Sequence, residues 1–248
     1  MRITLEHTTF LTILFIFRKK IMHRFFTLMI VTLLFTSMLA AQDWPNLAKF
    51  QAANAELEAP KRGENRVVFM GNSITIGWKN KAPEFFEGKP YINRGISGQT
   101  TPQMLIRFRQ DVVALQPKVV VILAGTNDIA GNTGPSTIEM IADNMKSMAE
   151  IAKANGIKVV ISSVLPVYDY PWKPGLEPAM KIVELNKMLK KYCKQNKHVY
   201  LDYFKAVVDD RNGMKAAYAN DGVHPTKEGY AIMAPLAEAA IAKALRKK

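Results

Sequence analysis

The chain is poor in the residues that make covalent or metal chemistry easy to read. A single cysteine, Cys193, stands among 248 residues, so no internal disulfide can form and stability must come from the core alone. Cys193 sits in NKMLKKYCKQNKH at helical spacing from Leu185 and Leu189, the setting of a structural thiol rather than a nucleophile. Only four histidines occur, His7, His23, His198 and His224. With no H-E-x-x-H and no cysteine cluster, a metal-dependent hydrolase has little support and no cofactor is expected. Acids are scarce as well: 21 Asp and Glu face 34 Lys and Arg, a formal net charge of +13. Such a balance raises nucleic acid as a partner. The lysines, however, are spread along helical patterns such as KIVELNKMLKKYCKQNKHVY, without an RNP, zinc-finger or helix-turn-helix pattern. They read as solvated helix faces with an attraction for acidic glycans or envelope surfaces, and no nucleic-acid partner is expected. Repeats, low-complexity tracts and long Pro/Ser linkers are missing too, which leaves one domain.

Residues 1–41 stand apart from that domain. His23-Arg24 precede the apolar run FFTLMIVTLLFTSML, which ends in Ala40-Ala41-Gln42. A basic start, an apolar stretch of about fifteen residues and small residues at its end are the pattern of a secretory signal. The run is shorter than the ~20 apolar residues of a spanning helix, so no stable membrane anchor is expected in the mature form. No cysteine follows it to carry a lipid. Met22 reads as the natural start, which makes residues 1–21 an over-extension. Cleavage is expected at Ala41/Gln42, with a periplasmic or extracellular product. Residues 42–248, the expected single domain, keep 29 basic and 20 acidic residues, a net +9.

Within that domain, four apolar, β-branched runs have strand length: RVVFM (66–70), KVVVILA (118–124), IKVVISSVLP (157–166) and HVYLD (198–202); PYIN (90–93) is a weaker fifth. Helical patterns lie between and after them, at 101–115, 136–155, 177–195 and from Thr226 to the end, with Asn155-Gly156 as a helix stop. Near-continuous apolar strands alternating with helices predict a doubly wound parallel sheet in a three-layer α/β/α domain.

Such sheets carry their sites at the carboxyl ends of the strands. Four polar, Gly-rich segments are expected to meet there: GNSITIGW, RGISGQTT, GTNDIAGN and, near the end of the chain, NDGVHP. Ser73 sits where a strand turns into a helix, whose amino terminus favours developing negative charge. A serine needs a base within reach to become a nucleophile. His224 supplies one, and Asp221, three residues earlier, can fix the imidazole tautomer. Acyl transfer also needs donors aimed at the oxyanion. The backbone N–H groups of Ser73 and Gly98 and the side-chain amide of Asn127 are the candidates.

The blocks GNSIT, NRGISGQT, GTND and DGVHP, in this order over residues 66–246, resemble the SGNH (GDSL-type) esterase/lipase family. The resemblance implies a flavodoxin-like sheet of about five parallel strands and places that family's serine, glycine, asparagine and histidine on Ser73, Gly98, Asn127 and His224, with its aspartate on Asp221. One departure is plain: Asn72 stands where the family's first block usually has aspartate, so the charge beside the nucleophile differs. There is no Gly-x-Ser-x-Gly elbow, which argues against an ordinary α/β-hydrolase.

For the substrate, no lid-like apolar stretch marks a true lipase. Aromatics are expected near the rim instead, Trp78 after the serine block and Tyr168, Tyr170 and Trp172 after the fourth strand; with Asn72, the residues Trp78, Tyr170 and Trp172 are the candidate substrate contacts. Flat rings suit sugars, and the resemblance extends to carbohydrate acetylesterases. The expected activity is hydrolysis of short acyl esters, acetyl foremost, on a small-molecule or glycan substrate. The alternatives are a lysophospholipase, thioesterase or arylesterase with the same residues, or a non-catalytic glycan-binding module. The sequence does not specify an oligomeric state.

Overall fold

A computed structural model describes residues 18–26, 29 and 42–247. Met1–Asp43 and Trp44–Lys248 form separate compact units. In the first, residues 18–26 are helical. The expected signal run and its cleavage point lie largely outside the described residues. Among those that are described, no helix is long and apolar enough to cross a membrane.

The second unit is built on five parallel strands, β1 (Val67–Gly71), β2 (Tyr91–Gly95), β3 (Val119–Leu123), β4 (Lys158–Ser162) and β5 (Val199–Leu201), in the order β2-β1-β3-β4-β5. This is the flavodoxin-like order, with its switch point between β1 and β3. The apolar runs become strands because both faces are covered. Val68, Met70, Val120, Ile122, Val159 and Ile161 point into one core layer, while Val67, Phe69, Val119, Val121 and Val160 point into the other. The period of two along each strand divides the core.

The helices α1 (Gln51–Ala55), α2 (Ser73–Lys81), α3 (Thr101–Asp111), α4 (Thr126–Ile129), α5 (Ile138–Ala154), α6 (Pro178–Gln195), α7 (Tyr203–Val207) and α8 (Lys227–Arg246) follow in chain order. The first core layer receives Met104 and Phe108 of α3, Ile141 and Met145 of α5, and Ile182, Leu185 and Leu189 of α6. The second receives Ile74 and Trp78 of α2, Tyr203 of α7, and Tyr230, Met233 and Ile241 of α8. Three layers result, as expected. Cys193 is buried on α6, and burial pushes its thiol up to about 12. Helix ends follow sequence signals: Thr100 and Gln103 form a capping box at α3, Thr137 and Thr226 cap α5 and α8, and α5 stops at Asn155.

Candidate active site

Ser73 opens α2 directly after β1. The Asn72 side chain caps the helix, its Oδ1 accepting from the Ile74 N–H at 3.0 Å. Ser73 itself occupies the first helical position, where an N–H has no acceptor within the helix. The Ser73 Oγ lies 2.9 Å from the His224 Nε2, across 151 positions of sequence.

His224 is presented by a short turn. The Asp221 Oδ1 accepts the backbone N–H groups of Val223 (2.9 Å) and His224 (2.7 Å), an Asx-type arrangement that folds the segment on itself. Its other oxygen, Oδ2, stands 2.7 Å from the His224 Nδ1. Tyr230, early in α8, donates its hydroxyl to the Ile74 carbonyl at 2.7 Å, and Lys81 donates to the Pro225 carbonyl at 2.7 Å, so the turn is tied to α2 at both sides. Partial burial pulls the Asp221 carboxyl up, but the hydrogen bonds from His224 and Val223 outweigh it and hold the carboxyl below its ordinary range. With Asp221 accepting at Nδ1, Nε2 is left as the acceptor for the serine proton.

The other two blocks reach the same rim. Gly95 ends β2 against the start of α2: a Cβ there would lie 2.3 Å from the Ile76 nitrogen and 2.9 Å from the Asn72 carbonyl oxygen. Three residues later Gly98, exposed and at φ 76°, turns the loop. Asn132 donates to the Gly98 carbonyl at 3.1 Å. Asn127 is buried on α4, and its side-chain amide donates one N–H to the Gln99 carbonyl at 2.9 Å, leaving its second N–H for another acceptor. Asp128, next to it, accepts from the Thr101 N–H at 2.9 Å and from the Thr101 hydroxyl at 2.5 Å, which fixes this block to the start of α3. Burial pushes its carboxyl up, against those two bonds.

The aromatic expectations need correction. Trp78 is 2% exposed, stacked between Phe85 and Tyr230 in the second core layer, away from the rim. It lies five residues beyond Ser73, about 140° around the helix, and therefore faces the sheet. Tyr170 is fully buried; its hydroxyl donates to the Thr126 carbonyl at 2.8 Å. Asn72 is also fully buried, and its Oδ1 is spent on the cap. Trp172 alone stays at the rim, 49% exposed, with its ring centroid 6.1 Å from that of His224. The Tyr170–Lys173 turn carries it, bolted to α4 by Tyr170 and by Lys173, whose ammonium donates to the Ala130 carbonyl at 2.9 Å. Tyr168 is exposed, with the Arg211 guanidinium 4.7 Å above its ring. Gln99, Arg107 and Asp128, which organise the rim, were not singled out by sequence; their signal is only proximity to the second and third blocks. Among the described residues, no three His, Cys, Asp or Glu side chains gather to hold a metal.

A doubly wound α/β/α fold with a serine, an imidazole and a carboxylate in hydrogen-bond series defines the class of serine hydrolases. The GDSL-like lipase/acylhydrolase family model matches residues 69–232, and the chain belongs to that family. A candidate acylhydrolase from Bacteroides fragilis (BF3764) is 49% identical and superposes with a TM-score of 0.81, covering 83% of this chain and all of its own. The esterase TesA of Pseudomonas aeruginosa is 28% identical over 169 residues, 66% of this chain and 77% of that protein. The lipoprotein YqeF of Bacillus subtilis is 30% identical over 125 residues, 44% of this chain; the match spans 51% of that relative's length. The chain is thus similar to serine ester hydrolases and shares their family.

Proposed function

We propose that the protein hydrolyses short acyl esters, acetyl foremost, on carbohydrate. The observation that carries the reading is the Ser73–His224–Asp221 series, at 2.9 and 2.7 Å, opening on a rim where the exposed Trp172 ring flanks the imidazole. Ser73 attacks the ester carbonyl while His224 takes its proton, and Asp221 steadies the imidazolium. The N–H groups of Ser73 and Gly98 and the free N–H of Asn127 receive the oxyanion. His224 then returns the proton to the leaving sugar hydroxyl, and water repeats the sequence to release the acid. No resident metal or cofactor enters these steps. Trp172 offers a flat apolar face for a sugar ring beside the leaving group. Export of the mature chain from residue 42 belongs to the same proposal, checked by N-terminal sequencing of the released protein.

Acetate release from acetylated oligosaccharides and a p-nitrophenyl ester chain-length series test the reading together. Wild type is expected to favour acetyl, Ser73→Ala to lose on the order of 10⁴-fold or more in kcat, and Trp172→Ala to raise KM for the oligosaccharide while leaving p-nitrophenyl acetate little changed. A preference for long acyl chains moves the protein to a lysophospholipase or thioesterase. Full activity in Ser73→Ala ends the proposal.

A further inference from the structure

We propose that Arg107 is a positioning residue for the oxyanion hole, acting through the second and first blocks rather than by touching substrate. The proposal rests on the serine-esterase reading given above. Arg107 lies on α3, two turns from its start, and its side chain has no solvent exposure. All three guanidinium nitrogens donate hydrogen bonds. Nε donates to the Gln99 Oε1 at 2.5 Å, Nη1 to the Asp111 Oδ2 at 3.0 Å, and Nη2 to the carbonyls of Gly71 (3.1 Å) and Arg94 (2.9 Å).

Those acceptors are not scattered. Gly71 is the last residue of β1, one step before the Asn72-Ser73 turn; Arg94 is the penultimate residue of β2. Gln99 directly follows Gly98, and its own carbonyl receives the Asn127 amide at 2.9 Å. One planar fork therefore spans the strand end that carries the Ser73 N–H and the loop that carries the Gly98 N–H. By way of Gln99, it also sets the acceptor that aims the Asn127 amide. All three proposed oxyanion donors depend on atoms Arg107 holds. The Gln99 side chain is gripped from its other end too, donating to the Pro45 carbonyl at 2.7 Å.

A buried ion pair is weak grounds for stability, because the desolvation cost of the charges rivals their attraction. The buried face of α3 holds Met104 and Phe108 beside Thr101 and Asp111, the last its own ion-pair partner, so a guanidinium there calls for a positional reason. Arginine fits the task because its donors are fixed in one plane; a lysine keeps the charge but has no fork to span separated acceptors. A donor displaced from the oxyanion costs rate without much loss of ground-state binding, since substrate carbonyl and oxyanion differ in what they demand.

Arg107→Lys and Gln99→Met test this, with p-nitrophenyl acetate as substrate and active sites counted by burst titration so that misfolded protein drops out. Gln99→Met leaves the Arg107–Asp111 pair in place and severs the two side-chain ties of Gln99, to Arg107 and to the Pro45 carbonyl. Both variants are expected to lower kcat per active site about 10- to 10²-fold, short of the 10²–10³ for losing a whole donor, with KM within about twofold. A cycle with Asn127→Ala separates positioning from simple support of the fold. If Arg107 acts through the oxyanion donors, Arg107→Lys costs at least several-fold less in the Asn127→Ala background than in wild type. Unchanged kcat per site in both variants, or strictly multiplicative losses in the cycle, overturns the proposal. Ser73→Ala is run alongside: if it retains activity, the esterase reading has failed, whereas a dead Ser73→Ala beside unaffected Arg107 and Gln99 variants counts against the positioning role alone.

Discussion

At the scale of single residues, the site is a set of side chains whose partners decide their protonation. Asp221 is held below the ordinary carboxylate range by its three hydrogen bonds. A group with a depressed folded value contributes stability above its unfolded value, about 3.9 for aspartate, and loses it as pH falls through the folded one. Asp221 thus stays ionised through about pH 5–8, so activity lost on acidification within that window does not come from its carboxylate. Asp221→Asn is expected to lower kcat by on the order of 10⁴-fold through loss of the tautomer. Its deficit in melting temperature should shrink below about pH 4, which melts in acid and neutral buffer read directly. Asn72 makes a second case. Its Oδ1 caps α2, but its Nδ2 is buried with no hydrogen-bond partner. Asn72→Asp removes that stranded donor and puts negative charge at a helix amino terminus, so the unfolding free energy near pH 7 is expected to rise by about 1 kcal/mol, read as a higher denaturant midpoint. A lower midpoint contradicts this.

At the scale of elements, the rim works because β2 ends pressed against the start of α2. Gly95→Ala puts a methyl group 2.3 Å from the Ile76 nitrogen, against main chain that cannot swing aside. The expected result is a loss of about 1–3 kcal/mol in stability together with a fall in kcat, since the displaced backbone bears Ser73. Thermal melts and kinetics on the same preparation check this, and a variant with wild-type kcat shows the contact to be slack. The same closeness explains what sequence makes legible. The strand runs are readable because burial on both faces selects unbroken β-branched stretches: β1 and β3 lie within one residue of the runs that predict them, and β4 starts one residue into its run but stops four short. The four blocks are readable because glycine and small polar residues are what a crowded sheet edge tolerates. Short helices leave less trace: TNDI over Thr126–Ile129 and YFKAV over Tyr203–Val207 are too brief for a 3.6-residue period to appear. Aromatic identity does not give direction either, which is why Trp78 and Tyr170 look like rim residues in sequence and are core in the fold. The role of Gln99 and Arg107 depends on where two strand ends lie relative to one helix, information that no local window contains.

At the scale of the whole molecule, one cluster of basic charge lies away from the chemistry. Lys153, Lys158, Lys194, Lys197 and Lys247 surround a cleft of about 580 Å³ at the amino-terminal edge of the sheet, beside the starts of β4 and β5. Ser73 follows the carboxyl end of β1, on the opposite edge. Part of the clustering has a local cause, since α5, α6 and α8 all end there and cations complement helix carboxyl termini. Five lysines exceed the roughly half charge that each helix end supplies; Lys247 donates to the Lys197 and His198 carbonyls, and the other four leave a basic surplus that suits an acidic polymer. Attachment through this edge would leave the Ser73 rim facing outward, toward substrate. The expectation is that the protein binds a polyuronate matrix at low salt and elutes as the screening length falls from about 30 Å at 0.01 M to about 10 Å at 0.1 M. Replacing Lys153, Lys158 and Lys197 together by Glu should move elution to lower salt while kcat/KM on p-nitrophenyl acetate stays at the wild-type value. Unshifted elution assigns the basic edge to helix capping alone; a parallel loss of catalysis shows instead that the two edges of the sheet are mechanically coupled.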